Sequence, residues 1–358
     1  MDNAIKLIHN NCPGNCSSII FLFLRLPKKR VMKIAVTGAN GHVGVNLCKA
    51  LADAGHEINA LVHMHDQALQ GIQVKLFKGD LLQRDTLLPF LTGVEVVFHL
   101  AAKISITGDP TGVISRINTD GTRNMVETAK ICGVRRFIHF SSIHAFRQHP
   151  LGEPLDETRP LVEKEGFAYD RSKAGGERAV MEAHAQGMDV VVLSPTAIIG
   201  PADTEPSLTG TAVIDIIRGK IPALVPGGYD WVDVRDVVKA AIASIEHGRS
   251  GEKYLISGHW HSLKELSGLI GRSAGRRTVS LVLPIWVARL GLPFIGLYSR
   301  LTGSKPLYTR ESLTIISEGN RRISHAKAAR DLGHQPKPLN ETISDLVNWF
   351  KNNDYLKK

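Results

Sequence analysis

Met32-Lys33-Ile34-Ala35-Val36-Thr37-Gly38-Ala39-Asn40-Gly41-His42-Val43-Gly44 is the stretch on which the reading of the fold turns. Residues 33–37 are a short β-favouring run, and a glycine turn follows at once. Residues 43–54 then put Val43, Leu47, Ala50, Leu51 and Ala54 on one helical face, with Gly55 as the stop. Each glycine of the turn has its own physical use. Gly38 permits a tight turn, Gly41 lets the backbone approach a pyrophosphate, and Gly44 lets helix and strand pack closely. The N–H groups opening the helix supply partial positive charge to that anion. A glycine triplet alone could be a flexible turn. The strand before it and the helix after it make Gly38, Asn40, Gly41, His42, Val43 and Gly44 candidate dinucleotide contacts.

Working outward, strand and helix keep alternating. Strands are expected at 58–62, 74–77, 94–100, 137–140 and 190–193, and helices at 85–91, 114–132 and 168–186. Short loops between such units imply a Rossmann-type, doubly wound parallel α/β sheet, because each crossover returns over a sheet face. After Pro195 the pattern loosens and proline and glycine become frequent, leaving helical runs at 211–218 and 234–246 and a strand at 253–257. The organisation expected is an extension at 1–31, a core at 32–200, and a smaller substrate lobe at 201–358 that re-enters the core through 234–257.

The composition narrows the function. Of 358 residues 43% are hydrophobic and 6% aromatic, which suits a parallel sheet under helices. The formal charge is +10, and five cations against Asp2 give residues 1–31 a net +4 of it. The rest forms no dense basic face interleaved with aromatics, so nucleic acid is not an expected partner. Cys48 and Cys132 fall in expected helices and Cys12 and Cys16 in the extension, a pattern of reduced cytoplasmic thiols. His9, Cys12 and Cys16 lack a spaced fourth ligand, and no metal is expected. The apolar run at 19–24 is far shorter than the roughly 20 residues that span a bilayer. Its basic cluster Lys28-Lys29-Arg30 follows it, unlike a signal peptide. The fold opens naturally at Met32, so 1–31 reads as a disordered extension and fits an upstream start codon. Residues 281–298 are apolar, interrupted by Arg289 and broken by Pro284 and Pro293. They read as a lid helix or a patch resting on a membrane, in preference to a span.

Tyr169-Asp170-Arg171-Ser172-Lys173 is the second informative cluster. Positions i and i+4 share a helical face, so Tyr169 and Lys173 point the same way. A phenol with an ordinary pKa of about 10 is a poor acid–base group at neutral pH, and a nearby ammonium favours its phenolate. Phe140-Ser141-Ser142 ends the strand before that helix, where a hydroxyl can steady a substrate oxygen. About 20 residues beyond the glycines, an acid would favour NAD and an arginine NADP. The chain offers His63, Met64, His65 and Asp66 there, and His63 tilts the choice slightly to NADP.

The glycine spacing, followed by Gly79-Asp80-Leu81 and Leu100-Ala101-Ala102, resembles the extended short-chain dehydrogenase/reductase superfamily, also called the NAD-dependent epimerase/dehydratase family. The resemblance covers roughly 33–350 and is strong to residue 201. It implies that Asp80 and Leu81 sit by the adenine and that Ala101 and Ala102 pass along the cofactor. It assigns the substrate-facing hydroxyl to Ser142, the second of its pair, as in dihydroflavonol reductases and 3-beta-hydroxysteroid dehydrogenases. Pro195, Ala197 and Ile198 match the segment beside the nicotinamide, Asn118 a helix-stabilising position, and 231–237 a return strand and helix start. Ile143 stands where many sugar-nucleotide epimerases have Ser or Thr. The segment 205–210 looks like the dihydroflavonol-reductase-like and hopanoid-associated epimerase-like bacterial branch.

The resemblance implies an NAD(P)-dependent oxidoreductase in which Tyr169, Lys173 and Ser142 act on a secondary alcohol or ketone. An epimerase or dehydratase with transient oxidation is the alternative. A non-catalytic dinucleotide sensor fits less well, because Tyr169 and Lys173 are both present. Segments 203–230 and 259–310 should form the pocket, and without an Arg/Lys cluster for a diphosphate they favour an apolar or polycyclic substrate. A cytoplasmic homodimer with peripheral membrane contact through 281–298 completes the expectation.

Overall fold

The computed structural model describes residues 30–63, 65–302 and 308–357, with residues 295–302 by backbone alone. The 19–24 run, His9, Cys12 and Cys16 lie outside the described residues, as does Met64.

The first half alternates strand and helix. It runs β1 (Lys33–Thr37), α1 (His42–Asp53), β2 (Glu57–Val62), β3 (Lys75–Lys78), α2 (Arg84–Leu91) and β4 (Val96–His99). Next come α3 (Val113–Ser115), α4 (Gly121–Ile131), β5 (Arg136–Phe140), α5 (Ala168–Ala185) and β6 (Val190–Pro195). The second half holds β7 (Ala197–Ile199), α6 (Leu208–Ile217), β8 (Gly228–Asp233), α7 (Val234–Ala243), β9 (Lys253–Ile256) and β10 (His259–Ser262). Five helices close it: α8 (Leu263–Ala274), α9 (Ile285–Thr302), α10 (Arg310–Glu318), α11 (Ala326–Leu332) and α12 (Leu339–Asn352).

Seven strands pair in the order β3-β2-β1-β4-β5-β6-β9, every neighbour parallel. Ile34, Ala35 and Val36 of β1 are all buried, as a strand covered on both faces requires. One face packs Ile34, Val36 and Phe98 against Leu47 and Leu51; the other packs Ala35, Val97 and Phe137 against Phe90 and Met125. Each such side chain contributes about 1.5–3 kcal/mol by leaving water. This is the Rossmann-type doubly wound sheet expected from the alternation. Strand order reverses between β1 and β4, which opens a crevice at their carboxyl ends where such sheets bind ligands.

A second sheet, β10-β8-β7, is built from short strands after residue 196. With α6, α8 and α12 it encloses a separate core of Val213, Ile217, Leu266, Leu346 and Phe350. Its strands are three to six residues long, and His259-Trp260-His261-Ser262 shows no clean alternation, so β7 and β10 escape a sequence reading. The edge strand β9 and helix α7 return to the large sheet.

Two expectations need correction. The helix expected over 114–132 is interrupted by a π-helical turn at Arg116–Asp120, against which α5 packs so closely that a Cβ on Gly176 would lie 2.6 Å from the Asn118 carbonyl oxygen. And Pro293 does not break the 281–298 run: it lies inside α9, which starts just after Pro284. Proline forfeits one N–H bond, but its φ is helical. Packing of Ile285, Ala288 and Leu292 on the Val225, Leu313 and Ile316 cluster offsets that loss.

Candidate active site

A single cavity of about 2730 Å³ runs from the β1–α1 turn to the second lobe. It brings together the residues chosen in the sequence as cofactor contacts and catalytic groups. Gly38, Asn40, Gly41, His42, Val43, Gly44, His63, Asp80, Leu81, Ala101, Ala102, Pro195, Ala197 and Ile198 line it, as do Ser142, Tyr169 and Lys173.

The glycine turn is a cradle in which side chains would not fit. Gly38 has φ +68°, and a Cβ there would lie 2.8 Å from the Ala101 nitrogen. On Gly44 a Cβ would lie 2.2 Å from the Gly38 carbonyl oxygen. Helix α1 starts beside this cradle with no acidic residue in its first turn, so its dipole faces the cavity uncompensated. Asn40 donates to the His65 carbonyl, while its Oδ1 is buried with no hydrogen-bond partner among the described residues. His42 and Asn46 reach across to the Pro201 carbonyl at 3.1 and 3.2 Å, which ties the 200–201 loop over α1. Asp80 closes the turn after β3, its Oδ1 accepting from the Leu82 N–H at 2.9 Å. A dinucleotide fits this donor set and this bare backbone.

The second group stands at the end of β5 and the start of α5. Backbone N–H of His144 donates to Ser142 Oγ at 3.2 Å, and the Ser142 hydroxyl stands beside the Tyr169 phenol. Burial pushes Tyr169 up to about 12, with the neighbouring Ser142 hydroxyl pulling the other way. The ammonium expected to lower this phenol is turned elsewhere: Lys173 Nζ donates to the Phe140 carbonyl at 2.6 Å. Burial brings Lys173 down to about 8, against an upward pull from Glu177. Desolvation therefore outweighs the local charges at both groups.

Asn118 is structural. Its Oδ1 accepts from the Lys103 N–H at 2.7 Å, and its Nδ2 donates to the Lys103 carbonyl at 2.9 Å and Ser172 Oγ at 2.8 Å. Beneath the site His99 bridges Thr37 and Thr122, and burial pushes it down to about 3. Sequence reasoning missed several neighbours. His144, brought down to about 4 by burial, meets the Tyr169 ring edge-on at 6.1 Å, and its Nδ1 lies 3.5 Å from Asp170 Oδ1. Burial raises Asp170 to about 6 and Glu311 to about 7, the second helped by the charge of the first. His144 and Asp170 sit two residues from Ser142 and one from Tyr169, a proximity that could have flagged them. Glu311 has no such signal.

Residues 34–257 match the model of the NAD dependent epimerase/dehydratase family. The chain belongs to that family. It is an NAD(P)-dependent oxidoreductase of the extended short-chain dehydrogenase/reductase type. Among similar family members, sterol demethylase protein B of Methylococcus capsulatus is 33% identical over 89% of this chain and 98% of its own. A Synechocystis protein provisionally named dihydroflavonol 4-reductase is 30% identical over 90% of this chain and 95% of its own. The solved structure of gox2253 superposes with a TM-score of 0.78 at 30% identity, covering 90% of this chain and 99% of that one.

Proposed function

We propose that this family member interconverts a secondary alcohol and a ketone on an apolar, polycyclic or lipid-like substrate. The observation that carries the proposal is the meeting of Ser142, Tyr169 and Lys173 on the wall of a cavity whose far arm is lined by Val213, Ile216, Leu224, Leu266 and Ile316. The nicotinamide, when bound, exchanges the hydride. Ser142 orients the substrate oxygen, Tyr169 gives or takes its proton, and Lys173 holds positive charge beside them. Residues 32–200 then serve as the cofactor half and 201–358 as the substrate lobe, with 234–257 returning to the core. The sterol and dihydroflavonol names of two relatives support a polycyclic substrate. The test is a panel of sterols, flavonoids, ketones and sugar nucleotides read by NAD(P)H absorbance. Net turnover on a polycyclic ketone is expected. Epimerisation of a sugar nucleotide without net turnover would replace this reading by the epimerase one.

For the cofactor we favour NADP. His63 and His65 line the cavity at the end of β2, and no acidic residue described there does. The expected outcome is a lower Kd for NADP than for NAD by fluorescence titration, with His63→Ala narrowing the gap. Equal affinities, or tighter NAD binding, would reverse the choice.

The substrate lobe also carries a surface suited to a bilayer. Trp286, Leu290 and Phe294 recur every four residues on α9 with 64, 66 and 74% exposure, and Leu281 lies nearby at 57%. Among the described residues no helix is long and apolar enough to cross a membrane. Exposed Arg289, 4.0 Å from the Glu318 carboxylate, stands beside the stripe, and Phe294 also lines the cavity. Such a face rests in the headgroup region and hands an apolar substrate to the cavity. Combined Trp286→Ser, Leu290→Ser and Phe294→Ser should lower co-sedimentation with phosphatidylglycerol vesicles at least about tenfold. Unchanged sedimentation would remove the membrane from this account.

A further inference from the structure

Glu177 is a fully buried carboxylate with no part in the chemistry described so far. It lies on the same face of α5 as Tyr169 and Lys173, completing a series at i, i+4 and i+8. Ser141 Oγ donates to its Oε2 at 2.5 Å, and Lys253 Nζ stands 2.6 Å from its Oε1. Three elements thus meet on one side chain: α5, the end of β5 and the first residue of β9. Burying a carboxylate costs several kcal/mol unless it is paired, so each partner is held firmly.

The Ser141 bond has a geometric consequence. Successive side chains on extended backbone point to opposite sides. Ser142 has φ −159° and ψ 153°, extended backbone, so a Ser141 hydroxyl held by Glu177 fixes the side on which the next hydroxyl, that of Ser142 beside Tyr169, stands. The second consequence concerns charge. The titratable groups facing Lys173 are His99 from β4, His139 from β5, and Tyr169 and Glu177 from its own helix. Both histidines are driven toward their neutral forms by burial, leaving Glu177 as the group that supports the ammonium.

We infer that Glu177 is a positioning residue, which aims Ser142 at Tyr169 through Ser141 and keeps the Lys173 ammonium charged. The inference rests on the roles proposed above for Ser142, Tyr169 and Lys173. Its test therefore begins with a reading that needs no turnover. In cofactor-free protein carrying ε-¹³C-lysine, with the Lys173 signal assigned from Lys173→Met, the midpoint of Lys173 should lie near 8. In Glu177→Gln it should fall by about one pH unit, a tenfold loss of proton affinity.

The alkaline limb of the turnover profile should move down with it. The loss is then about fivefold near pH 8, about tenfold above pH 9 and small near pH 6, with KM little changed. A merely structural role would lower activity by the same factor at every pH. Should Glu177→Gln not fold, Glu177→Asp keeps the charge but withdraws it by one methylene, and its Lys173 midpoint should move the same way by less. Ser141→Ala isolates the other arm and should lower kcat without moving that midpoint. An unmoved Lys173 midpoint in the folded Glu177 variants overturns the inference and leaves the catalytic reading standing. Full turnover in Tyr169→Phe would instead overturn the catalytic reading.

Discussion

Tyr169→Phe is expected to lower turnover about 10³-fold, within the range for losing a positioned acid–base group, while cofactor affinity and thermal stability stay close to the parent's. Only one hydroxyl is removed. Ring volume is conserved, so the packing against His144 survives. The neighbouring Ser142 Oγ keeps the His144 N–H. Stability changes little, because a buried hydroxyl and its bond nearly cancel. Reduction suffers because the developing alkoxide loses its proton donor, and oxidation because no group removes the hydroxyl proton. Stopped-flow or steady-state turnover, beside a fluorescence titration of cofactor, separates chemistry from binding. Full turnover with intact cofactor binding would show that another group carries the proton.

Gly44→Ala is expected to have the second largest effect, and it acts on binding. The added Cβ meets the Gly38 carbonyl oxygen at 2.2 Å and the Ala39 Cα and carbonyl oxygen at 2.7 Å. All three are backbone atoms of the turn, so no side chain can swing away, and α1 must move off β1. Overpacking of this kind costs about 3 kcal/mol. Spent against the bound geometry, that is about 100-fold in Kd. The melting temperature should fall as well. Gly55→Ala at the other end of α1 is the control. Gly55 has φ +83° with nothing near its Cβ position, so only left-handed strain of about 1–2 kcal/mol is added. Cofactor affinity should then be unchanged. Parent-like cofactor affinity in Gly44→Ala would mean that the helix start does not hold the pyrophosphate.

Much of the fold is legible because its signals are local. Residues 33–37 read as a short β-favouring run, and they form a strand whose Ile34, Ala35 and Val36 are all buried. Tyr169 and Lys173 share a helical face by spacing alone. The glycines of the turn carry information because a missing Cβ is itself a structural statement. What stayed hidden depends on neighbours far along the chain. Nothing near Glu177 in sequence indicates that Ser141, 36 residues away, donates to it. The Ser141-Ser142 pair could be ranked only by resemblance, whereas the strand geometry separates them by direction. Pro293 looked like a break because its helix is held by packing on α10 and not by its own backbone.

By itself, then, the sequence determined the alternating α/β order, the glycine turn and the tyrosine–lysine face, since each follows from spacing over a few residues. Only the tertiary structure decided which groups Ser141 and Lys173 donate to, and the direction in which Tyr169 shifts. The physical reason is burial. The spacing led us to expect an ammonium lowering the phenol, but desolvation at this depth raises it to about 12 and turns Lys173 to a backbone carbonyl. Dielectric surroundings belong to the folded assembly and to no stretch of the chain.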